Sequence, residues 1–325
     1  MFEDMLAVYA ARQSADDPLS GLEVGDQPEP RSRPGWTTVT LRTSGLNHHY
    51  LWSLKGVGLA ADRLPMILGC DGAGTTEDGQ EVIVHAVVAS DGWLGDETLD
   101  PRRTLLSELN PGTMAERVAV PERNVVPKPT GMSWEHAACL STAWLTAYRM
   151  LFTNAGVQPG ATVLVQGAGG GVATAIVQLG AAAGLRVWAT SRDASKRARA
   201  LELGAADVFE PGARLPDRVD AVLDTVGAAV WRHSIKSLVS GGTLVTAGAT
   251  SGDPSRTELN DIFFRQLRVV GSTMGNRSEL ERLARFVSER GIEPVIDSTH
   301  PLDQARAGFE RMAGDELFGK VVLTH

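Results

Sequence analysis

Cysteine is scarce in this 325-residue chain, with Cys70 and Cys139 the only two. Two thiols cannot build a disulfide framework, and doing without one fits a reducing compartment. Long hydrophobic runs are also missing: no stretch approaches the ~18 consecutive apolar residues that span a bilayer. The chain does not open on the basic, apolar and small-residue succession of a secretory signal. Basic residues are outnumbered, 31 Lys and Arg against 39 Asp and Glu, and a net charge of −8 is ill suited to a nucleic-acid surface. These gaps predict a cytoplasmic protein with no membrane or nucleic-acid partner, long enough for two domains. Tyrosine is rare, at three, whereas tryptophan reaches seven.

What stands out in the chain is a glycine turn. Thr162 to Val165 is a β-branched apolar run that enters Gln166-Gly167-Ala168-Gly169-Gly170-Gly171-Val172-Ala173, and Val172 to Gly184 reads as a small-residue helix. Strand, tight turn and helix in that order let backbone N–H groups approach a pyrophosphate at a helix N-terminus. Ala168, Gly170 and Ala173 fall on the three positions of a G-x-G-x-x-G/A pattern. Alanine at the first is a departure that Gly167 and Gly169 can absorb. Further strands are expected at Arg186–Thr190, Ala206–Phe209, Ala221–Asp224, Gly242–Ala247 and Arg268–Gly271, with helices between most of them. That alternation predicts a doubly wound parallel sheet.

The first 134 residues read differently. Short β-like pieces (Met5–Tyr9, Trp36–Thr43, Glu81–Ala86, Ala115–Val120) alternate with turn-rich stretches, as in a small, partly open barrel. After Glu293-Pro294 come one more helix, Leu302–Ala313, and a last strand, Lys320–Leu323.

Several motifs occur in one order over nearly the whole chain: Gly45-Leu46-Asn47-His48, Leu64-Pro65-x-Ile67-Leu68-Gly69-x-Asp71-Gly72-Ala73-Gly74, Gly112-Thr113-Met114-Ala115-Glu116, Thr146-Ala147-Tyr148, the glycine turn, Asp224-Thr225-Val226-Gly227 and Gly319-Lys320-Val321-Val322-Leu323. In these the chain resembles the medium-chain dehydrogenase/reductase superfamily, and most of all its zinc-free, zeta-crystallin-like quinone oxidoreductase branch. The resemblance implies an α/β protein with a GroES-like β-rich catalytic domain (1–134 and 292–325) and a Rossmann nucleotide-binding domain (135–291). Cofactor and substrate would meet in the cleft between them, and relatives commonly pair as homodimers through the Rossmann sheet edge, here Arg268–Gly271.

Zinc-dependent members hold catalytic metal at positions that correspond to Asn47, Cys70 and, nearby, Thr142. Only one of these is a good zinc donor, and residues 85 to 110 contain none of the cysteines of a structural zinc lobe. No metal is expected, although a rearranged His48, His49 and Cys70 set is an alternative. The second Rossmann strand ends at Ser191-Arg192, with Lys196 following. Hydroxyl and cationic donors there favour the 2′-phosphate of NADP(H), and Asp193 reads as the cap of the next helix.

The resemblance adds Thr142, Thr146, Val226, Gly227, Gly248, Ala249, Thr250, Phe264, Gly275, Asn276 and Lys320 as cofactor contacts, beside Gly167, Ala168, Gly169, Gly170, Gly171 and Val172 of the turn. Without metal, a substrate carbonyl must be polarised by hydrogen bonds. Asn47 is the expected amide donor, with Tyr50, His48, His49 or solvent as proton source. Trp52 and Trp93 are the expected pocket walls. The activity expected is NADPH-dependent reduction of a quinone or an α,β-unsaturated carbonyl compound. The alternatives are a zinc-type alcohol or aldehyde dehydrogenase with a remodelled site, and a non-catalytic, crystallin-like NADPH-binding protein.

Overall fold

The computed structural model describes residues 4–31, 33–254 and 256–325. It divides into two compact units: residues up to 143 with 274–325, and residues 144–273. The division falls after 143 and 273, not at 134/135 and 291/292 as the sequence had implied. Residues 274–291 join the first unit because helix Arg277–Glu289 is fastened there. Its N-cap Asn276 donates to Asp96 Oδ2 at 3.2 Å, the Arg277 backbone N–H donates to Glu97 Oε1 at 3.2 Å, and Arg277 also reaches the Val125 carbonyl. The helix buries Leu280, Leu283, Ala284 and Val287, a stripe at helical spacing.

The first unit is built on antiparallel β structure. Strand Trp36–Gly45 is its centre: Asp71–Thr76 pairs on one side, while Arg117–Pro121 and Lys320–Thr324 share the other. Glu81–Val84 and Val125–Pro127 extend the sheet beyond Asp71–Thr76, and Ile296–Pro301 lies parallel to the terminal strand. The register sets Gly45 opposite Asp71 and also opposite Val322. Glycine is required at that crossing, since a Cβ on Gly45 would fall 2.6 Å from the Ala138 carbonyl and 2.9 Å from Asp71 Oδ2. A smaller sheet, Leu22–Pro28, Asp4–Ala10 and Met66–Ile67, completes the β framework with one two-stranded pairing. Helix Ala305–Ala313 packs Phe309 and Met312 against Tyr50, Leu54 and Leu68. At ~1.5–3 kcal/mol per fully buried large apolar side chain, this cluster is a main source of the unit's stability.

The second unit carries six parallel strands: Thr162–Val165, Arg186–Thr190, Asp207–Phe209, Val219–Asp224, Leu238–Thr246 and Arg268–Gly271. Numbered in chain order, they lie 3-2-1-4-5-6, the doubly wound order of a dinucleotide fold. Thr162–Val165 is wholly buried, as a central parallel strand covered on both faces must be. Trp188 and Phe209 meet edge to face at 5.6 Å between neighbouring strands. Arg186–Thr190 and Arg268–Gly271 have the bounds read from the sequence. Among the described residues, no helix is long and apolar enough to cross a membrane.

Candidate active site

In the second unit, the carboxyl ends of the parallel strands gather most of the residues expected to hold a cofactor. Helix Gly171–Ala182 starts directly after the glycine turn. Gly167 sits at φ +83°, a left-handed conformation that suits glycine. A Cβ on Gly170 would meet no protein atom within 4 Å, so the turn leaves open space in front of its backbone. The turn is braced from beneath. Thr190 Oγ1 donates to Gln166 Oε1 at 2.7 Å, Ala168 N–H donates to the Thr190 carbonyl at 2.7 Å, and Gln166 Nε2 reaches Ser234 at 3.1 Å. The residues present therefore fit a bound pyrophosphate.

At the neighbouring strand end, Asp193 caps helix Ala194–Glu202, its Oδ1 accepting from the Ser195 and Lys196 N–H groups at 2.7 and 3.4 Å. Its carboxylate is thereby turned to the helix, as the sequence predicted. Ser191 is buried and accepts from the Asp193 N–H, whereas Arg192 is exposed. Beyond the fourth strand, Asp224 Oδ1 accepts from the Val226 and Gly227 N–H groups at 2.7 and 3.1 Å, fixing that turn. Beyond the fifth, the Thr250 N–H donates to the Thr225 carbonyl, while Gly248, Ala249 and Thr250 are exposed.

Three expected cofactor contacts are placed otherwise. Phe264 is 78% exposed, on helix Leu259–Phe264, with its ring against Phe263. Asn276 belongs to the first unit, after the buried Gly275, and its carboxamide is spent as a cap on Glu279 N–H and as a donor to Asp96. Lys320 is buried and cannot serve a phosphate, because its ammonium donates to the Leu46 carbonyl at 2.6 Å, Asn47 Oδ1 at 2.6 Å and Asp71 Oδ2 at 2.9 Å.

The surroundings of Asn47 alter its expected role too. Its Nδ2 donates to Asp71 Oδ2 at 2.9 Å and to the Tyr50 hydroxyl oxygen at 3.1 Å. Both amide hydrogens are engaged, so Asn47 is not the free donor to a substrate oxygen. Tyr50 is fully buried. Its oxygen also accepts the Cys70 backbone N–H at 2.6 Å, and burial first, then Cys70 and Asp71, push its pKa well above the ordinary phenol value. It is a strut rather than a proton source. His48 is exposed. Desolvation by the protein around it, followed by the Lys320 charge, lowers its pKa and keeps the imidazole neutral at pH 7. His49 lies 3.4 Å from Glu108.

The donor set does not fit a tetrahedral zinc. The Cys70 thiol is buried, donates to the Leu106 carbonyl at 3.2 Å and has its pKa raised by burial. Asn47 is consumed by its neighbours, and Thr142 offers a hydroxyl on a π-helical turn, Leu140–Trp144. Among the described residues, no group of three or more His, Cys, Asp or Glu side chains could hold a metal ion. The Thr142 hydroxyl is buried without a partner, and Thr146 is buried on the next helical turn. The two expected pocket tryptophans are separate. Trp93 lines a hollow of about 480 Å³ with Asp96, Glu97, Arg123, Asn276 and Arg277. Trp52, 41% exposed on helix His49–Leu54, is not part of that lining and lies under the Lys55 ammonium.

Two family models match the chain. Residues 33–130 match the alcohol dehydrogenase GroES-like domain, and residues 171–289 match the zinc-binding dehydrogenase domain. A solved structure described as an NAD-dependent alcohol dehydrogenase is 35% identical, with a TM-score of 0.90, 99% of this chain and 100% of that chain covered. The chain belongs to the medium-chain dehydrogenase/reductase superfamily. Among curated relatives, the acryloyl-coenzyme A reductase of Sulfurisphaera tokodaii is 28% identical over 94% of this chain and 97% of its own. The crotonyl-CoA reductase of Streptomyces avermitilis is 26% identical over 95% of this chain and 83% of its own. Membership in the superfamily agrees with the architecture: a GroES-like β unit and a parallel-sheet Rossmann unit, α/β overall.

Proposed function

We propose that this superfamily member is an NADPH-dependent oxidoreductase that transfers hydride to an α,β-unsaturated carbonyl compound or a quinone without a bound metal. The observation that carries the reading is the donor set at Asn47, Cys70 and Thr142, which offers a metal one thiol, itself buried and hydrogen-bonded. When bound, NADPH supplies the hydride. The Gly167–Gly171 turn and the N-terminus of helix Gly171–Ala182 hold its pyrophosphate through backbone N–H groups. Ser191 and Arg192, with Lys196, take the 2′-phosphate, because Asp193, two residues beyond Ser191, is committed to its helix and Glu210 is paired with Arg197. Thr146, Val226, Gly227, Gly248, Ala249 and Thr250 complete the cofactor's surroundings in the second unit. NADP complexes of a crotonyl-CoA carboxylase/reductase and a 2-octenoyl-CoA carboxylase reductase share this fold.

Charge that develops on a substrate oxygen must be met by donors that are still available. The neutral His48 ring is one, since an uncharged imidazole N–H polarises a carbonyl without first losing a proton. The names of the two curated reductases, whose acyl groups are α,β-unsaturated, support the enone class over simple aldehydes. Following NADPH oxidation against enoyl thioesters, enones, quinones and aldehydes tests the reading. Turnover is expected with the first three groups. Turnover confined to aldehydes, or NADPH binding with no turnover at all, would contradict it.

We also propose a homodimer formed along strand Arg268–Gly271, where Val269 and the nearby Phe263 and Phe264 are exposed at one sheet edge. Light scattering that gives the mass of one chain would refute it.

A further inference from the structure

The buried cluster behind Asn47 has a direction. Four groups form it: Lys320 on the terminal strand, Asp71 on its own strand, Tyr50 on helix His49–Leu54, and Asn47 between strand Trp36–Gly45 and that helix. Lys320, Asp71 and Tyr50 are buried, and Asn47 alone is partly exposed. A carboxamide has two orientations that differ by exchange of its oxygen and nitrogen. Here the ammonium of Lys320, a pure donor, faces Oδ1, and the Asp71 carboxylate, a pure acceptor, faces Nδ2. The opposite orientation would set NH₂ against NH₃⁺ and oxygen against carboxylate, two repulsive contacts in place of two charge-assisted hydrogen bonds.

We propose that Lys320 is a positioning residue for the reaction, locking the Asn47 carboxamide so that it meets a ligand with its oxygen edge and not with its amino group. With both amide hydrogens bound to Tyr50 and Asp71, Asn47 has only an acceptor lone pair left to offer. The site therefore reads a hydroxyl or N–H on the ligand at this point, and the carbonyl oxygen of an enone must be placed elsewhere. Gly45 belongs to the same device: its missing Cβ leaves room for Asp71 Oδ2, the atom that Lys320 and Asn47 share.

The kinetic part of this inference rests on the reductase reading, so its test includes a readout independent of turnover. Asn47 side-chain amide protons, assigned with an Asn47→Leu control, are expected to exchange slowly with solvent in the wild-type protein. Lys320→Met leaves Asp71 buried without its cation and can fail through misfolding alone. The double variant D71N/K320M removes both charges at nearly constant shape and keeps the question answerable. In the double variant, amide exchange is expected to accelerate at least tenfold. The kcat for enone reduction is expected to fall at least tenfold, with KM for NADPH within about threefold of wild type. Slow exchange and wild-type kcat in a folded D71N/K320M protein would overturn the proposal and leave the pair a structural role. A wild-type protein without turnover would sink the reductase reading, while the exchange measurement would still decide the orientation.

Discussion

Acid sensitivity of the first unit follows from one buried ring. His85 is 1% exposed, and neither ring nitrogen has a hydrogen-bond partner. Its Nε2 stops 3.9 Å from Glu97 Oε1, beyond hydrogen-bonding distance. Burial, and then the Arg277 charge, push its pKa down to about 3, with Asp96 acting in the other direction. The unfolded chain takes up a proton near pH ~6.5 that the folded protein refuses until about pH 3. Stability contributed by the neutral ring is therefore complete above the unfolded pKa and is lost as pH falls through that window, at about 1.4 kcal/mol per pH unit. Between neutral pH and about pH 4.5 the loss comes to about 2.5 kcal/mol. His85→Leu removes the titration and two orphaned polar atoms, so it should equal or exceed wild type at neutral pH. Urea unfolding of both proteins across this range is expected to show their stabilities diverging by about 2.5 kcal/mol in favour of the variant. His325, pushed down to about 4 by burial, titrates in both proteins and drops out of the difference. Parallel stability curves would refute the assignment of His85 as a neutral buried ring.

The cofactor reading yields two further expectations. Gly170→Asp adds a carboxylate at a position where a Cβ would meet nothing within 4 Å apart from its chain neighbours, so the melting temperature should stay within a degree or two while NADPH affinity drops at least tenfold; an unchanged dissociation constant by fluorescence titration would count against the turn as a phosphate cradle. Arg192→Glu should weaken NADPH by at least tenfold, about 1.4 kcal/mol, and leave NADH little affected, and equal losses for both cofactors would remove Arg192 from 2′-phosphate recognition. In the core, Phe309→Ala should cost about 3–5 kcal/mol, because the ring is fully buried 6.3 Å from that of Tyr50; a loss below about 1 kcal/mol in chemical denaturation would show that the cluster collapses around the gap.

The Rossmann unit was legible because its central strands, Thr162–Val165 above all, are buried and read as apolar runs between glycine turns. Asp193 was legible for a similar reason, since an Asp before a helical run has a local task. The charged cluster was not. Lys320 and Asp71 lie 249 residues apart, and a lysine after a glycine near the end of the chain looks like any exposed phosphate ligand. The available signal was composition: one acid and one base, each set in an apolar or glycine-rich strand, must find each other if both are buried. Asn276 carried a clearer sign that the resemblance overrode. Asn276 followed by Glu279 is a capping box, and the structure forms both of its hydrogen bonds. Asn47 stood out in the sequence, but its chemistry depends on the orientation of an amide, which Lys320 and Asp71, partners distant in sequence, decide.

The central claim is hydride transfer from NADPH to an activated double bond without metal. It is tested most directly by stripping the purified protein with a strong chelator, verifying the metal content by mass spectrometry, and measuring enone-dependent NADPH oxidation. The account predicts that the stripped protein keeps its activity and that added zinc does not raise it. Activity that is lost on stripping and restored by stoichiometric zinc would contradict it.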